Sequence, residues 1–393
     1  MKTKRNLILI LIVATTLLWG CGAPAYKRNP LQQELSDIAQ IQGVPKAREW
    51  GDSPPPDLKK WLSTTKAQMK SQNPAVFHQS HNYLAISGGG PNGAFGAGLL
   101  MGWSERGDRP EFSMVTGVST GALTAPFAFL GSDYDAQLKE VYTTLSTKDI
   151  VKTRQLLEIL WGDAATSTKP LRKQLAKFVD QEIMESIAAE HRKGRRLYVG
   201  TTNLDAGRPV IWNIGEIADS ELPNALDLIH DILLASASIP GAFPPVFIQV
   251  EADGSIYDEM HVDGGAASQI FLYPTGLDFS RVMEHLEVQG QPSAYLIRNA
   301  KFEPEWTIVE PKIVPIAGRT IDSMIRTQGI GDIYRIYLSA QRDGIDFNLA
   351  YIPEDFNVEA KEPFDPEYMG KLFDLGYRMA KSGYPWTKMP PGF

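Results

Sequence analysis

The chain has 393 residues, which is enough for one large domain or two modest ones and certainly enough to bury a core. Hydrophobic residues make up 43% and charged residues 22%, the ordinary proportions of a soluble globular protein. The net charge of −7 argues against a nucleic-acid partner, which would normally require a basic face.

The N-terminus has the pattern of a secretory signal. Three basic residues among the first five precede the apolar run Leu7–Leu18, which is too short to cross a bilayer comfortably as a permanent helix. The single cysteine, Cys21, follows in the sequence LWGC, which resembles a bacterial lipobox whose cysteine is diacylated. A simple secretory signal or an uncleaved anchor is the alternative. Gly22 after the cysteine resembles outer-membrane sorting, so we expect a lipoprotein of the bacterial outer membrane that faces the periplasm.

Residues 1–20 are thus predicted to be a signal peptide, and residues 21–80 a tether and lead-in to the fold. Within this segment the sequence SPPP at Ser53–Pro56 is a stiff break. Short helices are predicted at Leu31–Ile41 and Leu58–Met69. With Cys21 acylated, no cysteine remains for a disulfide bond.

A glycine-rich loop follows the first predicted buried strand, Asn82–Ile86. The loop has the sequence SGGGPNG and leads into the helix-compatible segment Ala94–Trp103, so free backbone N–H groups meet a helix N-terminus, which favours anions. It matches a dinucleotide fingerprint by letters, but the acid that such a site needs is Glu111, at the wrong end of the next strand. A Walker-type loop would need a lysine. An oxyanion hole is the interpretation that we favour, because a serine turn follows one helix later.

That serine turn lies in Phe112–Pro126, which has the sequence FSMVTGVSTGALTAP and the strand–turn–helix pattern of a nucleophile elbow. Gly117 and Gly121 flank Ser119 at positions where side chains would clash in so sharp a turn. The turn projects the hydroxyl out of the sheet, with the next backbone N–H near a developing oxyanion. A turn that contains a serine by chance is the alternative, because the motif is short.

The middle of the chain is predicted to be mixed helix and strand. Residues Asp133–Lys169 are interpreted as core helix in preference to a mobile cover over the site. Periodicity and turn residues predict a hairpin of Arg196–Asn203 and Pro209–Asn213. They also predict helices at Tyr134–Leu145, Val151–Trp161, Leu171–Lys193 and Leu226–Ile239.

A short strand, Met260–Asp263, ends in an acid followed by Gly264 and Gly265, which let the backbone turn away from the carboxylate. An ordinary elbow hydrolase runs serine, acid and histidine in chain order, but only His285 follows, in a charged helix-like stretch. No residues have metal-ligand spacing, so neither metal nor cofactor is expected. The remaining solution is a Ser–Asp dyad in which the aspartate itself takes the serine proton, which requires a raised carboxyl pKa.

The three pieces GGGPNG, GVSTG and DGG, in this order, resemble the patatin-like phospholipase family over about Asn82 to Pro274. The resemblance implies a three-layer α/β/α sandwich with a mixed, mostly parallel central sheet, and hydrolysis of lipid acyl esters. It implies that Ser119 is the nucleophile and Asp263 the general base. It also implies an oxyanion hole of the N–H groups of Gly88, Gly89 and Gly90, and motif glycines at Gly93, Gly117, Gly121, Gly264 and Gly265.

Two positions depart from the family pattern. The family loop often begins with Asp and carries Arg or Lys before its last glycine, where this chain has Ser87 and Asn92. The loop therefore lacks a cation that would favour anionic headgroups.

The predicted core is residues 81–275, and residues 276–393 are predicted to be a C-terminal extension packed on the same domain. This extension has strand-like Tyr295–Asn299 and Phe347–Tyr351, a helical stretch Ile321–Arg342, and a last helix opened by Asp365–Pro366.

The sequence therefore predicts a membrane-tethered serine hydrolase of lipid acyl esters, of the phospholipase A or lysophospholipase type, that acts through a covalent acyl-enzyme. Its expected partner is a membrane lipid or another acyl ester. A catalytically inert envelope protein that keeps the fold to bind lipid or a protein is the alternative.

Overall fold

The computed structural model describes residues 28–153 and 166–393. No helix in these two ranges is both long and apolar enough to cross a membrane. The strands are β1 (Arg48–Trp50), β2 (Asn82–Ile86), β3 (Met114–Val118), β4 (Lys152–Thr153), β5 (Thr166–Ser167), β6 (Arg196–Asn203), β7 (Arg208–Asn213), β8 (Val246–Ala252), β9 (Ser255–Asp263), β10 (Ser293–Arg298) and β11 (Asp346–Tyr351).

Helices flank these strands along the chain. They are α1 (Leu58–Trp61), α2 (Lys66–Gln72), α3 (Gly93–Arg106), α4 (Thr120–Leu130), α5 (Asp135–Thr144), α6 (Thr147–Ile150), α7 (Lys169–Phe178), α8 (Gln181–Arg192), α9 (Ile214–Ala218), α10 (Ala225–Ser236), α11 (Phe279–His285), α12 (Ile313–Asp343) and α13 (Pro366–Lys381).

One mixed sheet of nine strands forms the middle layer, in the order β1-β7-β6-β3-β2-β10-β11, with β9 paired to β6 and β8. The five consecutive strands β6, β3, β2, β10 and β11 run parallel to one another. The other pairings in this sheet are antiparallel. The carboxyl ends of the parallel strands therefore meet at one edge, where α/β folds place their ligands.

Both faces of the sheet are covered. In β2, Leu84 and Ile86 pack into the larger core with α3, α4 and α10, whereas Tyr83 and Ala85 pack into a second core with α11 and α12. This alternation follows from the two-residue period of a strand, and a strand buried on both faces reads as a continuous apolar run. The predicted three-layer fold with a mostly parallel sheet is confirmed.

The lead-in contributes to the fold from its first described residues. β1 pairs with β7 at the edge of the sheet. Leu31–Ile41 contains only the 3-10 turn Gln33–Leu35, and Leu58–Met69 is divided between α1 and α2. The division falls before Thr65, which caps α2 with a reciprocal hydrogen-bonded box.

Two other helix predictions need correction. Leu171–Lys193 is not one helix but two, because Asp180 accepts the backbone N–H of Ile183 at 3.1 Å and starts α8 afresh. In Val151–Trp161, Lys152 and Thr153 form β4, which pairs with β5. Residues 154–161 of that stretch lie outside the described residues, as do 162–165 of the segment Asp133–Lys169 considered as a cover.

In the predicted C-terminal extension, β10 pairs with β2 and β11 continues the same sheet. The last helix begins as the sequence indicates, with the Asp365 side chain accepting the N–H of Glu367 at 2.9 Å. The sheet edge that carries the glycine loop is thus bordered by residues from both the core and the extension.

Candidate active site

Ser119 occupies the turn between β3 and α4 in a strained backbone conformation, with φ at 54° and ψ at −125°. Positive φ is uncommon for a residue with a side chain and is found at functional sites. The flanking glycines are required by close approach: a Cβ on Gly117 would lie 2.4 Å from the oxygen of Gly121, and one on Gly121 would lie 2.3 Å from that of Ile86. The local geometry is that of a nucleophile elbow.

A buried serine of α10 holds this turn in place. The backbone N–H of Ser119 donates to Ser236 Oγ at 3.0 Å, and that hydroxyl donates to the carbonyl of Gly200 at 2.7 Å. The small residues at the end of α10 allow the helix to come this close to the elbow. The sequence predicts a helix at Leu226–Ile239, but nothing in its pattern singles out Ser236.

Asp263 ends β9 beside the elbow, because β9 runs antiparallel to β6 and places Asp263 opposite Thr201. Its carboxylate accepts the backbone N–H of Gly265 at 2.7 Å. Burial raises the pKa of Asp263 from 3.8 to about 6, although hydrogen bonding to the Ser119 side chain and to Gly265 favours the ionised form. A carboxylate of this pKa is mostly ionised at neutral pH and is more basic than a solvated one, as a general base requires.

The glycine loop lies directly against the serine. A Cβ built on Gly88 would be 3.2 Å from Ser119 Cβ, and the N–H of Gly88 donates to the carbonyl of Gln269 at 3.0 Å. The N–H groups of Gly89 and Gly90 have no acceptor among the residues that the structure describes. Of the three predicted donors, two are therefore free to bind an anion, and Gly88 provides room for the serine.

The two positions where the loop departs from the family pattern are both engaged. Ser87 Oγ donates to the carbonyl of Gly88 at 2.7 Å and accepts the N–H of Asn299 at 2.9 Å. Asn92 Oδ1 accepts the hydroxyl of Tyr368, on α13, at 2.6 Å. These side chains stabilise the loop, and neither supplies a positive charge.

A cavity of about 700 Å³ opens over Ser119, Asp263 and the loop. Its walls also include Gln269, the end of β10, the segment that follows it, and the first half of α12. Pocket volumes of several hundred Å³ accommodate a drug-sized or larger ligand. The C-terminal extension therefore forms one side of the space above the serine.

No histidine lines this cavity, and all six lie in the described ranges. His285 packs on the ring of Trp61, and its Nε2 is 3.0 Å from Thr64 Oγ1. The other five contact partners elsewhere: His78, His81, His191, His230 and His261. Nor do residues 28–153 and 166–393 contain a group of three or more His, Cys, Asp or Glu side chains that could hold a metal ion.

Residues 84–274 match the family model of patatin-like phospholipases, over a stretch that includes Ser119, Asp263 and the glycine loop. This stretch is a little under half of the chain, and it is similar to the patatin-like phospholipase domain. The match agrees with the predicted resemblance and, broadly, with the predicted class of lipid hydrolase.

Other comparisons add less. No curated protein matches the chain. Among solved structures, VipD from Legionella pneumophila matches at 13% identity with a TM-score of 0.36, over 77% of this chain and 66% of that protein.

Strand β9 also carries the buried carboxylate Glu259, four residues before the candidate base. Glu259 lies 3.0 Å from the Arg48 guanidinium and 3.1 Å from Nε2 of His261, whose Nδ1 is 3.0 Å from Thr201 Oγ1. Trp212 Nε1 donates to the same hydroxyl at 2.7 Å. Burial lowers the pKa of His261, so the imidazole is neutral at neutral pH. We call these five residues the closed cluster.

Proposed function

We propose that this protein hydrolyses acyl esters of membrane lipids, as a phospholipase A or lysophospholipase, with Ser119 as nucleophile and Asp263 as general base. The observation that carries the proposal is the pairing of a serine at positive φ with a buried carboxyl whose pKa is about 6. The absence of any histidine from the cavity walls supports a dyad over a triad.

In the acylation step, Ser119 Oγ attacks the ester carbonyl while its proton passes to the Asp263 carboxylate. The charge that develops on the carbonyl oxygen is stabilised by the N–H groups of Gly89 and Gly90, together with that of Thr120 at the start of α4. The leaving alcohol takes the proton from the Asp263 carboxylic acid. Water then attacks the acyl-enzyme and gives a proton to Asp263. The acyl–Oγ bond breaks, Ser119 Oγ takes that proton back from Asp263, and the fatty acid is released.

Apolar side chains beside the cavity support a lipid substrate. Met324 and Ile321 line its wall and are largely exposed, and Trp306, in the preceding loop, is 94% exposed. Exposed apolar groups of this kind mark interaction sites. We further propose that acylated Cys21 anchors the chain in the bacterial outer membrane facing the periplasm, since the lipobox-like sequence would place the cavity close to its substrate.

The proposal is tested with the full chain in detergent and vesicles of phosphatidylethanolamine and phosphatidylglycerol, with fatty-acid release followed by mass spectrometry. Ser119→Ala should lower the turnover number by about 10⁶-fold, to background. Ser132→Ala, which changes an exposed serine away from the cavity, is the matched control. A Ser119→Ala variant that keeps most of the activity would overturn the assignment. If the wild-type chain binds the vesicles without hydrolysis, the protein is instead an inert lipid-binding protein.

A further inference from the structure

We propose that Arg298 and Arg326 form a phosphate-binding subsite within the catalytic cavity, which takes the headgroup phosphate of the lipid substrate. This inference rests on the proposed function and extends it to the substrate class. The glycine loop beside Ser119 carries no cation, because Asn92 stands where the family pattern has Arg or Lys.

Arg298 is the last residue of β10, directly beside the end of β2 from which the glycine loop leaves. Its side chain lines the same cavity as Ser119, and the residue is 3% exposed. Its guanidinium is thus placed at the sheet edge where the reaction is proposed to occur.

The guanidinium of Arg298 lacks the partner that a buried charge normally has. Its Nε and Nη2 donate weakly to the carbonyl of Lys301, at 3.3 and 3.2 Å, and its plane lies over the ring of Phe302. No carboxylate lies within 4.0 Å of it, and Nη1 has no acceptor, among the residues described. Buried charges are ordinarily paired, because desolvation is costly.

A second cation reinforces the first. Arg326, on α12, lines the same cavity, and its only hydrogen bond within residues 28–153 and 166–393 is a long one, 3.4 Å from Nη1 to the carbonyl of Phe302. Burial lowers the pKa of Arg298 to about 10, and repulsion by Arg326 contributes in the same direction. An anion between the two guanidinium groups would compensate the buried charge of Arg298 and reduce its repulsion by Arg326. Planar guanidinium groups bind phosphate oxygens in a fork geometry.

The carboxylates near Arg298 are engaged elsewhere. Asp332 accepts the N–H of Gln269 at 2.7 Å and forms an ion pair with Arg335. Glu354 accepts the N–H groups of Phe302 and the residue after it. These acids attract Arg298 from a distance without satisfying its hydrogen bonds.

Acids also line the mouth of the cavity. Glu303, Glu305 and Asp322 are exposed, and Glu305 pairs with Lys301 at 3.2 Å. The exposed acids therefore lie at the mouth of the cavity, whereas Arg298 and Arg326, which have no carboxylate partner in the described residues, lie further inside it. Arg319 also lines the wall, where it donates to the carbonyl of Glu305.

The backbone of α12 makes room for this guanidinium. A Cβ on Gly329 would lie 2.7 Å from Arg298 Nη1 and 3.2 Å from Cβ of Gln269. Glycine destabilises a helix interior relative to alanine, so this position makes room for the arginine at the expense of the helix. Gln269 also contacts Gly88 of the glycine loop, so it links the surroundings of Arg298 to the site of the proposed reaction.

The test compares two substrates that differ by one phosphate: a monoacylglycerol phosphate and the corresponding monoacylglycerol. Arg298→Gln and Arg326→Gln should each lower kcat/KM for the phosphate-bearing substrate by about 10- to 100-fold and leave the neutral one within twofold. Arg298→Lys, which keeps the charge, should recover part of the loss. Arg281→Gln removes an exposed arginine outside the cavity and is the control.

Equal losses on both substrates, or no loss on either, would overturn the subsite. If Arg298→Gln does not fold, the kcat/KM values of Arg326→Gln and Arg298→Lys on the two substrates decide between these outcomes. Inhibition by inorganic phosphate shows whether the ligand is a lipid headgroup phosphate or free phosphate. At a free-phosphate site, inorganic phosphate would inhibit monoacylglycerol hydrolysis, and the arginine variants would abolish this inhibition. Such a site would show no selective loss of kcat/KM on the lipid phosphate. Binding of glycerol 1-phosphate to the Ser119→Ala variant, abolished by Arg298→Gln, would support the subsite even where the proposed hydrolysis fails.

Discussion

Two of the buried carboxylates on strand β9, Glu259 and Asp263, lie four residues apart, and their surroundings differ. Glu259 is held by the Arg48 guanidinium at 3.0 Å and by His261 at 3.1 Å. Asp263 has no cation within 4.0 Å in the described parts of the chain, and it forms hydrogen bonds with the N–H of Gly265 and the Ser119 side chain. The first carboxylate belongs to the closed cluster, and the second faces the cavity.

The same contrast holds for two buried arginines. Arg48 has an ion-pair partner, donates to the carbonyl of Ala39 at 2.8 Å and lies over Trp50. Arg298 has no carboxylate partner and lines the cavity. Buried charges that form an ion pair with each other serve the fold, whereas those left open to a cavity are available to a ligand or a reaction. We call Ser119, Asp263 and Arg298 the open cluster, and the comparison predicts opposite consequences of substitution in the two clusters.

The largest effect on stability is expected in the closed cluster. Glu259→Gln leaves the buried Arg48 charge uncompensated, so the free energy of unfolding should fall by about 3 to 5 kcal/mol. Urea denaturation at pH 7.5 measures this free energy of unfolding. The folded fraction should keep the wild-type kcat/KM. An unchanged unfolding midpoint would show that the ion pair does not stabilise the fold.

Asp263→Asn should stabilise the protein. The folded pKa of Asp263, about 6, exceeds its ordinary value of 3.8, so this carboxyl favours the fold fully below about pH 4 and loses that contribution as the pH rises through 6. At pH 8 the ionised carboxylate costs at most about 3 kcal/mol, which the neutral amide avoids.

Unfolding free energies of wild type and Asp263→Asn should therefore differ at pH 8 and converge at pH 4. A variant that is less stable than wild type at pH 8 would contradict the raised pKa.

The smallest effect is expected at His285. His285→Ala removes the contact with Thr64 and with the Trp61 ring, which lie away from the cavity, so kcat/KM should stay within about twofold of wild type. The rate of ester hydrolysis at pH 7.5 gives this kcat/KM. A large loss of activity in a variant that melts normally would favour a histidine triad.

Local patterns in the sequence predict the centre of the site well, because the elbow and the glycine loop depend on neighbouring residues. Turn geometry requires Gly117 and Gly121, and these are visible as a motif. The bounds of β2 agree with the prediction, since a buried strand reads as an apolar run.

Long-range partners were not predictable from the sequence. Ser236, Gln269 and Arg298 lie 117, 150 and 179 residues after Ser119, and nothing in their local sequence marks them. Nor does the pattern REW of β1 indicate that Arg48 reaches Glu259 across the sheet edge. Such contacts depend on tertiary packing, which local propensity does not encode.

The rate at which a fluorophosphonate probe modifies Ser119, measured against pH by intact mass spectrometry, tests the dyad most directly. The wild-type rate should fall about tenfold per pH unit below about pH 6 and level off above it, because only ionised Asp263 accepts the proton. Asp263→Asn should react 10²- to 10⁴-fold more slowly, without that inflection, and His285→Ala should match wild type. Labelling of Asp263→Asn at the wild-type rate, with the inflection near pH 6 retained, would contradict the account.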